Sequence, residues 1–201
     1  MPKIDEMQLK KEIKSGDFKN AYLLYGEESY LKEYYANELK NKIVDKTFEA
    51  FNYHSFDGKD TELDDILKDA QMLPMMSEYN FVLVKDYPIE KSANDIKLLE
   101  EYLSDAPDST VLVFWFDALD PDVKSAKFKK VIKAFEKAGN CVELQKRSEN
   151  DVAKLLVNGA KKRGALLDIN VAKYLISVSG NDMKNCLMNL INLLIMQTAV
   201  K

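Results

Sequence analysis

Ala21-Tyr22-Leu23-Leu24-Tyr25-Gly26-Glu27-Glu28-Ser29-Tyr30-Leu31-Lys32-Glu33 is the stretch on which the fold turns. The apolar run 21–25 reads as a strand, and Gly26 stops it. From Ser29 to Lys46 the pattern changes: Leu31, Tyr35, Leu39 and Ile43 recur at every fourth position, one stripe of a helix. A strand that enters a glycine turn and leaves as a helix opens an α/β crossover.

The same alternation continues downstream. Phe51–Phe56 (FNYHSF) alternates as a strand does, and Thr61-Glu62-Leu63-Asp64 has the spacing of a capping box before Leu63, Ile66, Leu67 and Ala70. Phe81–Val84 reads as a third strand, and Ile96, Leu99 and Leu103 mark a helix. Val111–Phe116 (VLVFWF) is apolar throughout, the sign of a strand buried on both faces. Val131–Ala138 is helical in period, and Cys141–Leu144 makes a fifth, shorter strand. The class predicted is α/β, with a mostly parallel five-stranded sheet between helices. Right-handed crossovers restrict its topology, but the pattern does not give the strand order.

Near Gln145 the strands stop. Ser148-Glu149-Asn150-Asp151 is a second capping box, ahead of Val152, Leu155 and Leu156, in a helix expected to end around Gly164. Val171, Tyr174, Leu175 and Val178 mark a second helix stopped at Gly180, and Met183, Leu187, Leu190, Ile191 and Leu194 a third. The expected domains are therefore 1–145, α/β, and 146–201, a small three-helix unit.

With 201 residues, 46% of them hydrophobic, the chain can bury a core without disulfides or metals. No apolar run approaches the roughly 20 residues of a membrane span, and MPKIDEMQLKKEIKSGD lacks the apolar centre of a secretion signal. Cys141 and Cys186 sit among apolar neighbours and read as buried thiols of a reducing cytoplasm rather than as a disulfide. The net charge of −4 argues against a protein that grips duplex DNA by its own field, since phosphate neutralisation supplies most of such affinity. DNA is expected as a partner only through an assembly, and no membrane or small-molecule substrate is expected.

An α/β domain followed by a small helical one suggests an AAA+ type, RecA-like ATPase module. Such a module cradles phosphates in its first strand-to-helix turn with G-x-x-x-x-G-K-[ST]. Here the turn Gly26, Glu27, Glu28, Ser29 lacks the second glycine and the Lys-Ser/Thr pair, and it carries two carboxylates that repel phosphate. The third strand is followed by Lys85-Asp86, a cation where the first of two magnesium-managing acids belongs; Asp86 reads as a solvated strand-end residue. His54, the one histidine, is expected to be a structural or surface residue rather than a general base, and Asp117, Asp120 and Asp122 to be loop and helix-start residues rather than a metal site. The lysines from Lys124 to Lys137 read as the wet face of an amphipathic helix, with contact to DNA inside an assembly as the alternative. No catalytic residue, metal site or cofactor is assigned.

Leu73-Pro74-Met75-Met76 is out of place by these rules. Pro74 ends the preceding helix and leaves two methionines on a connector where polar residues are expected. Composition allows two readings: they tuck under the domain as core, or they stand exposed for a partner's groove.

Tyr22-Leu23-Leu24-Tyr25-Gly26-Glu27-Glu28, Tyr30-Leu31, Phe51-Asn52, Asp57-Gly58, Leu73-Pro74-Met75-Met76-Ser77-Glu78 and Gly180-Asn181-Asp182, taken in order, resemble the delta subunit family of bacterial DNA polymerase III clamp loaders. The resemblance implies a degenerate AAA+ fold without a working nucleotide site, and no enzyme activity of its own. It implies binding to the ring-shaped beta sliding clamp through Leu73, Pro74, Met75 and Met76, opening of that ring, and assembly with gamma/tau and delta prime subunits. Two methionines here replace the Phe-Phe or Leu-Phe pair common in the family. Helices of a C-terminal collar are expected to follow residue 201. The competing readings are a dead AAA+-like scaffold of another assembly, which predicts a buried Met75–Met76 pair, and a nucleotide-dependent phosphotransferase. A direct reader of duplex DNA is a third.

Overall fold

The computed structural model describes residues 3–180 and 182–199; Asn181 of the Gly180-Asn181-Asp182 segment lies outside them. The chain divides into two compact units, residues 1–145 and 146–201.

The first unit runs β1 (Lys3–Ile4), α1 (Glu6–Ser15), β2 (Ala21–Tyr25), α2 (Ser29–Ile43), α3 (Glu49–Asn52), β3 (Tyr53–Asp57) and α4 (Leu63–Ala70). It continues with β4 (Asn80–Lys85), α5 (Ala93–Ser104), β5 (Thr110–Trp115), α6 (Ala126–Ala138) and β6 (Gly139–Glu143). The strands lie in the order β1-β6-β2-β5-β4-β3, and every pairing is parallel. Every residue of β2 and β5, in the middle of the sheet, is buried, as continuous apolar strands demand. Against one face pack Ile66, Leu99, Phe128, Val131 and Phe135 from the crossover helices.

Four expectations change here. Among the described residues the sheet has six strands, because Lys3–Ile4, a two-residue strand too short to show periodicity, pairs with Cys141–Val142. The alternation at 51–56 begins two residues early: Phe51 and Asn52 belong to the single turn α3, and β3 starts at Tyr53. The capping box at Thr61 does not form; Glu62 is the N-cap residue of α4, without a side-chain cap bond, while Thr61 Oγ1 donates to Asp57 O at 3.0 Å and closes the preceding turn. Helix α2 stops at Ile43, three residues short of Lys46.

The second unit comprises α7 (Glu149–Lys162), α8 (Ile169–Val178) and α9 (Met183–Ala199). Ser148 caps α7 by accepting from the Asp151 N–H at 3.2 Å, and Gly164, at φ +76°, follows its end. On α8 the buried face is Ala172, Leu175 and Ile176, so Val171, Tyr174 and Val178 stand exposed rather than in the core. Among the described residues no helix is long and apolar enough to cross a membrane, and Cys141 and Cys186 are buried thiols.

Candidate functional site

The turn between β2 and α2 is where a phosphate cradle would form, and one of its amides is already engaged. Gly26 takes φ +106°, and a Cβ there would lie 2.6 Å from Leu144 O, so only glycine fits. The Leu144 N–H donates to Tyr25 O at 2.7 Å, and the Glu28 N–H donates to Leu144 O at 2.9 Å. An amide that a phosphate would need is thus spent on a neighbouring carbonyl. Glu27 is exposed, Glu28 stands at the cap of α2 without a side-chain cap bond, and Ser29 begins the helix.

Lys32 completes the closure. It lies six residues after Gly26, the spacing of the phosphate-binding lysine in G-x-x-x-x-G-K-[ST], while Leu31 and Glu33 replace the second glycine and the hydroxyl residue. Its side chain is buried and turned inward, with Nζ donating to Gly26 O at 2.6 Å. Burial pulls this ammonium below its ordinary pKa, against the opposing pull of Asp120, Asp117, Asp86 and Glu28. The open depression beside the turn is lined by Glu27, Asp120, Asp122 and Glu143, with Lys124 among them, a field that repels triphosphate.

Asp86 is not solvated as the sequence suggests. It is 1% exposed, at φ +54°, and its carboxylate accepts from the backbone N–H groups of Asp117, Ala118 and Leu119 at 2.8–3.2 Å. Burial pushes its pKa up, but the three N–H donors and Lys85 outweigh that and hold the carboxyl below its ordinary range. The acid tethers the loop after β5. Asp117 pairs with Lys85 at 2.7 Å, and among the described residues no cluster of acids, histidines or cysteines could hold a metal ion. His54 Nδ1 lies 3.1 Å from Asp69 Oδ2, a partly buried structural pairing. All six lysines between Lys124 and Lys137 are exposed along α6 and the segment before it.

The connector between α4 and β4 is the other candidate site. Leu73 is 82% exposed, Met76 78% and Met75 53%, with Pro74 half-buried between them. The two readings left open by composition are thereby separated: these residues are not core. Met72 and Phe51 are exposed as well. The segment is nonetheless held. Asn80 Nδ2, on a buried side chain, donates to Asp69 O at 2.7 Å and Met72 O at 3.3 Å. Asn52 Nδ2 donates to Met75 O at 2.9 Å, and the Met75 N–H donates to Asn52 Oδ1 at 2.6 Å. Tyr79 packs edge-on against Phe18, and Met76 adopts φ +54°. The sequence pattern placed Phe51 in a strand; it is instead an exposed residue of α3.

A parallel sheet with this closed first turn, followed by a small helical unit, defines a degenerate AAA+ type, RecA-like module. The fold is shared with the RuvB Holliday junction branch migration motor of Thermotoga maritima (TM-score 0.58, 13% identity, 96% of this chain and 60% of that one). The Bacillus subtilis DNA clamp loader delta protein is also similar (TM-score 0.68, 23% identity, 93% of this chain and 56% of that one). The sequence is 28% identical over 173 residues to the DNA polymerase III subunit delta of Bacillus subtilis, covering 83% of this chain and 49% of that protein. The family described as DNA polymerase III, delta subunit, matches residues 22–145. The chain belongs to that family. It spans about half the length of the curated relative it matches.

Proposed function

We propose that this chain is a non-catalytic delta-type subunit that binds the beta sliding clamp through Leu73, Pro74, Met75 and Met76 and opens the ring for loading onto primed DNA. What carries the reading is the connector: an apolar plug, solvent-exposed yet tied to the domain by Asn52 and Asn80. Exposed methionines lose affinity-limiting entropy on docking, but a backbone already fixed reduces the rest of that cost. Ring opening follows when the plug surface binds an open or distorted clamp better than a closed one. Family membership supports gamma/tau and delta prime as the neighbours in the loader and the bacterial cytoplasm as the setting, with DNA met only in the assembled complex. The dead-scaffold reading requires the methionines in the core, and their exposure counts against it.

The test is calorimetric titration against the sliding clamp of the same organism. Met75→Ala/Met76→Ala is expected to cost about 2–4 kcal/mol of binding, with a stability change within about 0.5 kcal/mol because both side chains face solvent. Binding that survives the double substitution moves the site elsewhere. No binding by the unaltered protein returns the scaffold reading.

A further inference from the structure

Resting on the clamp-binding reading, we propose that Asn52 is the positioning residue of the plug: its buried carboxamide sets the connector backbone so that Met75 and Met76 face outward. Phe51-Asn52 and Leu73–Glu78 are separate segments of the family resemblance, and one side chain joins them. Asn52 is 1% exposed, on the single turn α3 just before the edge strand β3. Its Oδ1 accepts from the Met75 N–H and its Nδ2 donates to Met75 O, so one planar amide satisfies both backbone groups of a residue 23 positions away. Nδ2 also donates to Phe48 O at 3.2 Å, which fixes the carboxamide to α3. This two-point contact copies what a neighbouring strand would supply, and the Met75 and Met76 side chains stay exposed beside it. Without it, the Met75 amide and carbonyl must find water or another partner, and Met76 loses the fixed neighbour that holds it at φ +54°. A short side chain such as Ala reaches neither group; Asp keeps the acceptor for the Met75 N–H and loses both donors.

Two measurements on the intact chain test this. The first is amide hydrogen exchange at Met75 in the unbound protein, read beside the thermal melt. The second is a double-mutant cycle for clamp binding between Asn52→Ala and Met75→Ala/Met76→Ala. Asn52→Ala is expected to speed Met75 exchange about tenfold or more beyond any change in global stability. It is also expected to weaken clamp binding about tenfold when the methionines are present, and not at all when they are absent. Asn52→Asp, which guards against a variant that does not fold, is expected to leave Met75 exchange slow while binding falls by less. Equal losses of affinity with and without the methionines, or unchanged Met75 exchange, overturn the proposal. If the unaltered protein does not bind the clamp, the functional reading fails, and the exchange data alone decide whether Asn52 sets the connector.

Discussion

Met76 shows most sharply how a single residue can be set against its own backbone. A non-glycine residue in the left-handed region costs about 1–2 kcal/mol, and Met76 sits there at φ +54° with 78% of its surface exposed. Its own packing does not repay that cost; the fixed neighbours do, through Asn52 on Met75 and Asn80 on Met72. Strain of this kind concentrates where a side chain must be aimed. Met76→Gly is therefore expected to raise stability by up to about 1 kcal/mol, the relieved strain being partly offset by greater freedom of the unfolded chain. The same change is expected to weaken clamp binding by about 1–2 kcal/mol. A thermal melt and a clamp titration read both effects, and a variant that binds as well as the unaltered protein removes Met76 from the plug. That the pair is anomalous was legible in the sequence, because two apolar residues follow Pro74 on a connector, although α4 ends at Ala70, short of the Leu73 that the proline suggested. That it is exposed was not: core and surface plugs have the same composition, and the deciding contact comes from Asn52, distant in sequence.

At the scale of elements, the end of β4 and the loop after β5 are joined by one carboxylate. Asp86 accepts from three successive backbone N–H groups, an arrangement that favours the charged form despite burial. Its folded pKa lies below the ordinary 3.8. The linkage is then fixed in sign: the stabilisation is fully present above pH 3.8 and drains away as pH falls through the lower folded value. Asp86→Ala leaves three partly buried N–H donors without their carboxylate and is expected to cost about 2 kcal/mol. Asp86→Asn keeps an acceptor and tolerates the left-handed backbone, so about 1 kcal/mol is expected, with a shallower loss of stability in acid. Denaturant titrations at neutral and acid pH check both; an Asn variant as acid-sensitive as the unaltered protein shows that other groups govern that loss. Reading elements from sequence succeeded where periodicity was long, as in α2 and the apolar strand β5. It failed where a local pattern imitated something else. FNYHSF alternates because Tyr53, Ser55 and their neighbours do, although Phe51-Asn52 is a helical turn. Thr61 has capping chemistry but spends its hydroxyl on Asp57 O. Tyr174 shares a helical stripe with Leu175 by spacing, yet only the latter faces the core, since the side that is covered is chosen by packing partners rather than by period.

For the molecule as a whole, the proposed ring opening raises the question of where its work comes from. An ATPase of this fold spends nucleotide in the first strand-to-helix turn. Here that turn is closed by the Glu28 N–H on Leu144 O and by Lys32 on Gly26 O, and the adjacent depression is rich in carboxylates. Under the proposed function, the work would come from differential binding of the open and closed clamp, with timing supplied by other subunits. The position of Lys32 makes this testable within one chain. In a nucleotide-using module, replacing the lysine at that spacing removes phosphate affinity while the lysine's contribution to the fold is small. In this protein the lysine is an internal hydrogen-bond donor with a buried stem, so the consequences are reversed. Lys32→Ala is expected to destabilise by about 2 kcal/mol, from the lost packing of the stem and the unpartnered Gly26 carbonyl. Millimolar Mg-ATP is expected to leave the melting midpoint of both proteins unchanged. A ligand present at about 100 times its Kd stabilises by about 2.7 kcal/mol, a shift of several degrees that a melt would register. A midpoint that rises with Mg-ATP in the unaltered chain and not in Lys32→Ala would mean that the lysine turns outward to phosphate, and the closed turn would then be one of two states rather than a lost site.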